Sequence, residues 1–196
     1  MIIDFNVNYN KYDDKILNNY SLFNYKCPKC GAEHAFIRHG SYERNICFVE
    51  KKCNIISKRM NILRLKCNSC KSTHAILPKD VVPYCIYSLS FILNVLTDYY
   101  CVNEKISNIC TNYSISFQLI YTFISRFTEF LNSCIYVLRS LGFALSSIES
   151  SIIDGINKYE IKDNFSYQYF FNCQWIFLMT KFHNNIPRLV YIGGFY

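Results

Sequence analysis

Two Cys-x-x-Cys pairs, Cys27-Pro28-Lys29-Cys30-Gly31 and Cys67-Asn68-Ser69-Cys70-Lys71, constrain this chain more than any other feature. Each spacing puts two thiolates on one tight turn, and two such turns together supply the four soft ligands of a closed tetrahedral zinc site. Four thiolates leave no open coordination position for water, so the predicted metal builds a fold and performs no chemistry. Iron suits the same tetrahedral sulfur cage and is the alternative metal. His34, His39 and His74 lie near enough to replace a cysteine, with a solvent-facing polar role as the simpler reading of each. Cys47 and Cys53 fall between the two pairs and read as ordinary hairpin residues.

A chain of 196 residues with 51% apolar residues has room for one ordinary domain or two small ones, and enough apolar surface for a core. Eleven cysteines would suit a secreted disulfide scaffold, but no basic and apolar leader opens the chain and Asp4 interrupts its start. Thiolates on metal in a reducing cytoplasm account for them instead. The most apolar run, residues 165 to 180, carries Gln168, Asn172 and Gln174, so no membrane span is expected. The charge of +7 is concentrated: residues 26 to 80 hold twelve Lys or Arg and four Asp or Glu, while the remainder is close to neutral. The positive excess belongs to the cysteine segment, either as a surface for a polyanion or as a solvated basic face.

The expected architecture is α+β, a small antiparallel zinc ribbon followed by an all-α helix-turn-helix and C-terminal helices. Residues 1 to 20 read as a short arm or poorly ordered leader, and 21 to 82 as the ribbon. A strand from Ala35 is predicted to turn at Gly40, a second runs from Asn61 to Lys66, and Thr73 to Leu77 adds a third. From Tyr84 the period becomes helical, with Ile86, Leu89, Ile92, Leu93, Leu96 and Tyr100 on one stripe. A short helix from Glu104 to Asn112, capped by Asn103, precedes the break Ser114-Ile115-Ser116, and Ser116 caps a long helix from Phe117 toward Arg139. Short helix, tight turn and longer helix make the helix-turn-helix of residues 83 to 142. On the long helix Gln118, Tyr121, Thr122 and Ser125 share one polar stripe opposite an apolar one, the candidate base-reading face or a solvated bundle face. In the segment 143 to 196, Leu145, Ile148, Ile152, Ile153 and Ile156 suit another helix. The aromatic run Phe165 to Phe182 is expected to finish the core or form a homodimer interface.

The chain resembles the N-terminal region of insertion-sequence transposases and a family of bacterial transposase-like zinc-ribbon proteins. The resemblance lies in Cys27-Pro28-x-Cys30-Gly31, Arg38-His39-Gly40-x-Tyr42-x-Arg44, Arg64-Leu65-Lys66-Cys67-x-x-Cys70-x-x-Thr73, Leu77-Pro78, Pro83-Tyr84, Ile109-Cys110 and Ser114-Ile115-Ser116. It implies a structural zinc and DNA as partner. Phosphate contacts would come from Arg38, Arg44, Lys51, Lys52, Lys58, Arg59, Arg64 and Lys66 with the motif residues His39 and Tyr42, and base contacts from Ser116, Gln118, Tyr121, Thr122 and Ser125. Such families place Gly where this chain has Ser114, and basic residues where it has Tyr121 and Thr122. Transposase chemistry needs three carboxylates on a catalytic sheet to hold two magnesium ions. Past residue 140 only Glu149, Asp154, Glu160 and Asp163 remain, within fifteen positions of a helical pattern. The expectation is therefore a non-enzymatic DNA-binding protein of transposase descent with no small-molecule substrate. A zinc-ribbon protein-interaction or dimerisation module and an inactive transposase remnant are the alternatives.

Overall fold

The computed structural model describes residues 1–19, 25–51, 54–145, 148–173 and 177–179. The chain is α+β, with strands first and helices after. Two compact units divide it between Ile86 and Tyr87, and the hairpin end Cys47–Ser57 is counted with the helices.

The first unit carries a four-stranded sheet in the order β1-β4-β3-β2, formed by β1 (Ile2–Asp4), β2 (Phe36–Lys51), β3 (Asn54–Cys67) and β4 (Thr73–Pro78). β3 and β4 run antiparallel with Leu65 opposite His74, whereas β1 runs parallel to β4 with Ile2 opposite Ile76. The sheet is thus mixed, and the expectation of a purely antiparallel one is corrected. Only two residues join β2 to β3, which suits a hairpin and is far too short for a parallel crossover.

The start of the chain is not a loose arm. Ile2 and Ile3 are buried, and apolar side chains removed from water at a sheet edge hold β1 in place. A 3-10 turn at Tyr9–Lys11 and a π-helical turn at Asp13–Leu17 follow. The second turn seats Tyr12, fully buried, whose hydroxyl donates to the Ile76 carbonyl at 2.8 Å and accepts from the Leu63 amide at 3.0 Å. Lys79 donates its amide to the Val7 carbonyl, and Asp80 accepts from the Tyr9 amide.

β2 also departs from the expected turn at Gly40. The strand runs straight through that residue, whose φ of +109° only glycine adopts easily, so the glycine serves a backbone irregularity within the strand.

The helical unit contains α1 (Leu89–Tyr100), α2 (Ile106–Tyr113), α3 (Phe117–Ser140), α4 (Glu149–Asp163) and α5 (Phe165–Cys173). α1 starts five residues later than its periodicity suggests. Ser88 is the cap, its hydroxyl accepting from the Phe91 amide, while Tyr84 takes a φ of +59° and Ile86 is exposed. α2 likewise starts late, because Asn103 sits at φ +55° and Lys105 occupies the cap position. α3 begins as expected, with Ser116 accepting from the Leu119 amide. Ile120, Phe123 and Phe127 are its buried stripe, continued by Phe130, Cys134 and Val137. α1 packs against α2, α3 and α4, and α3 against α4 and α5. Tyr169 and Phe177 pack on Phe130, and Phe165 packs on both of them, so these rings of the aromatic run join the core of this unit, while Phe171 is exposed. Among the described residues no helix is long and apolar enough to cross a membrane.

Candidate metal centre

The two Cys-x-x-Cys turns are built alike. In the first, Gly31 donates its amide to the Cys27 carbonyl at 2.8 Å and Cys27 donates to the Ala32 carbonyl at 2.8 Å. In the second, Lys71 donates to the Cys67 carbonyl and Cys67 to the Ser72 carbonyl, each at 2.9 Å. The residue after the second cysteine is left-handed in both, Gly31 at φ +74° and Lys71 at φ +61°. That conformation turns the chain back on itself and leaves the two thiols of each turn on one side; glycine adopts it freely and lysine at a cost.

The turns bring Cys27, Cys30, Cys67 and Cys70 together with all four sulfurs within 4.8 Å of one another. Cys27 Sγ lies 3.6 Å from Cys70 Sγ, and Cys30 Sγ 3.7 Å from Cys67 Sγ. A tetrahedron with metal–sulfur bonds of about 2.3 Å has ligands about 3.8 Å apart, so the four cysteines can hold a metal ion. Cys27 and Cys67 are buried, while Cys30 is exposed, so the centre is open to water on one side. Burial pushes the Cys27 thiol up to about 12. For Cys67 burial acts the same way but is outweighed by the amides of Cys70 and Ser69 and by the neighbouring thiols, which draw it down. The Ser72 hydroxyl and amide lower Cys70 to about 6. A cation held among these sulfurs would displace the remaining protons, because only thiolates ligate.

His74 stands behind the site rather than in it. Its Nε2 lies 3.6 Å from Cys27 Sγ, and its Nδ1 lies 3.1 Å from the Met1 amine. Burial first, then the positive charges of that amine and Lys29, hold the imidazole down to about 4, so it is neutral at pH 7. With the amine donating to Nδ1, the ring proton sits on Nε2 and points to the Cys27 sulfur, an outer contact that would orient Cys27 toward a metal ion. Phe36 packs edge-on against the ring at 5.7 Å. His34 and His39 are exposed, and the ligand cluster contains no histidine among the described residues. Cys47 also lies outside it, bridging to Tyr87, and Cys53 is outside the described residues.

The basic residues proposed to meet phosphate have diverse surroundings. Arg38, His39 and Tyr42 are exposed on β2. Arg44 donates to the carbonyls of Val82 at 3.0 Å and Cys85 at 2.5 Å, so this guanidinium holds a turn. Arg59 pairs with Glu43, and Lys58 lies over the Tyr9 ring at 5.4 Å. Arg64 and Lys66 are half-buried; Lys52 and the side chain of Lys51 lie outside the described residues. On α3, Ser116, Gln118, Tyr121, Thr122 and Ser125 are all exposed. Four of them line a shallow depression of about 460 Å³ together with Arg126 and Glu129. Arg126 did not stand out in the sequence, because it falls one position off the polar stripe. Its Nε is buried with no hydrogen-bond partner among the described residues.

Residues 27–114 match a family model described as a domain of unknown function, DUF6431. The matched stretch opens at Cys27, includes both cysteine turns, α1 and α2, and closes at Ser114 before α3. No curated protein and no solved structure matches the chain.

Proposed function

We propose that the chain is a zinc-stabilised DNA-binding protein of transposase descent without a catalytic domain, in which α2, the three-residue turn and α3 act as a helix-turn-helix. The observation that carries this reading is the exposed stripe Ser116, Gln118, Tyr121, Thr122 and Ser125 at the start of α3, directly after a turn of three residues from α2. A recognition helix contacts base edges with such N-terminal positions. The second support is the net +8 of residues 26 to 80, enough positive charge for phosphate contacts that position a protein without reading sequence. Zinc suits the four thiolates as a structural ion, closing the two turns without offering a reactive position.

Salt-dependent binding tests the proposal. Fluorescence anisotropy with random-sequence duplex should give a log–log slope of about −0.9 for each phosphate neutralised. Replacing Lys51, Lys52, Lys58 and Arg59 with Gln should flatten the slope and weaken all sequences alike. Binding of this variant identical to the parent at every salt concentration would move the DNA surface away from the hairpin, and no binding by the parent would favour a protein-interaction module.

A further inference from the structure

We infer that the exposed start of α3 reads A·T base pairs of duplex DNA through the major groove, an inference that rests on the DNA-binding role proposed above. The groups this face offers are narrowed by the hydrogen bonds already made. The Ser116 hydroxyl accepts from the Leu119 amide as the helix cap. The Thr122 hydroxyl donates to the Gln118 carbonyl at 2.8 Å, which leaves its methyl group and no proton to offer. Gln118 then carries the one side-chain amide on the face. Phe117 and Tyr121, one turn apart, add apolar and aromatic surface, being 54% and 53% exposed.

The charges absent from this stretch matter equally. From Phe117 to Ser125 α3 contains no Lys or Arg, and no Asp or Glu occurs before Glu129. Guanine is read mainly by Arg or Lys on O6 and N7, and cytosine by a carboxylate accepting from N4; neither is present here. Adenine is read by Gln or Asn bidentate to N6 and N7, and thymine by apolar contact with its C5 methyl. Gln118 supplies the first, and Phe117, Thr122 and Tyr121 supply the second. Arg126 lies about 12 Å along the helix from Gln118 at about 1.5 Å per residue. It is the first cation of α3, shares the depression with Gln118 and Thr122, and has a buried Nε without an acceptor. That position suits a phosphate beside the bases being read, met by the terminal guanidinium nitrogens and not the buried Nε; Glu129 lines the same depression about 4.5 Å further along the helix, and the face from Phe117 to Ser125 carries no acid.

The test uses the full-length, metal-loaded protein and two duplexes of equal length, one of A·T pairs only and one of G·C pairs only. The A·T duplex should bind more tightly, by roughly five- to 150-fold for one good bidentate pair. Uracil in place of thymine removes the C5 methyl and should weaken binding, which separates methyl contact from an effect of DNA shape. Gln118→Ala should lose most of the preference with the salt slope unchanged, whereas Arg126→Gln should weaken both duplexes alike and reduce the slope by about one. Equal affinity for the two duplexes with a normal salt slope overturns A·T reading and leaves DNA binding standing. Tighter binding to the separated A- and T-containing strands overturns the duplex as ligand. No salt-dependent binding to any of these probes removes the DNA-binding role itself.

Discussion

Replacing Tyr12 with Phe removes one oxygen from a residue that is fully buried and tied to two strands. That oxygen donates to the Ile76 carbonyl of β4 at 2.8 Å and accepts from the Leu63 amide of β3 at 3.0 Å. Tyr12 is 0% exposed, so the phenylalanine leaves both backbone groups without this partner in a site closed to bulk solvent. Each unsatisfied buried group costs about 1–3 kcal/mol, so losing two should destabilise the sheet unit by about 2–6 kcal/mol. For a unit of this size that corresponds to a Tm lower by roughly 10–40 °C. Urea and thermal unfolding of the metal-loaded protein, followed by circular dichroism, measures it, with Tyr42→Phe as the exposed control expected within about 0.5 kcal/mol of the parent. The same hydroxyl gives a pH signature. Burial raises its pKa above the ordinary phenol value of 10.0, so folding favours the protonated phenol. The stabilisation is complete below pH 10 and is lost as pH rises beyond it toward the folded-state value. This alkaline loss should be smaller in Tyr12→Phe. A Tyr12→Phe protein as stable as the parent would refute the bridging role and, with it, the view that residues 1 to 19 are part of the sheet unit.

Elemental analysis should find one zinc per chain, and Cys27→Ser should reduce metal affinity sharply. Because structural zinc sites of this kind contribute about 10–16 kcal/mol of apparent binding energy, chelation should unfold the sheet unit, and a sheet that melts unchanged in chelator would contradict this. His74→Phe should weaken metal binding by about 10- to 100-fold and shift the sulfur-to-metal absorption of the cobalt-substituted protein, while His39→Phe should do neither. Lys71→Gly should stabilise the second cysteine turn by up to about 1 kcal/mol by relieving a left-handed lysine, and Gly31→Ala should destabilise the first by about 1 kcal/mol; denaturant midpoints check both. Ser114→Gly should likewise raise the stability of the helical unit by a few tenths to about 1 kcal/mol, since Ser114 ends α2 at φ +50°.

The cluster of four cysteines was legible in the sequence because a Cys-x-x-Cys turn is short-range geometry: three peptide units decide where both sulfurs go, whatever surrounds them. The start of α3 was legible for a similar reason, since Ser116 needs only the amide three residues ahead to act as a cap. Periodicity places the starts of α1 and α2 too early because it cannot register a φ of +59° at Tyr84 or +55° at Asn103, which ends any helix there regardless of the apolar stripe. The remaining features depend on residues far apart in the chain. Ile2-Ile3-Asp4 is too short to announce a strand, and it becomes one only because β4 presents an unpaired edge to it in parallel. Tyr12 looked like one tyrosine among many until β3 and β4 gave its hydroxyl two backbone partners. Arg44 and Arg59 read as members of a basic patch, yet Val82, Cys85 and Glu43 engage them first. His74 was one of three histidines of equal rank. Its place opposite Leu65 puts it behind Cys27 and in reach of Met1, because the register of β3 and β4 rather than spacing along the chain decides which ring meets the sulfur.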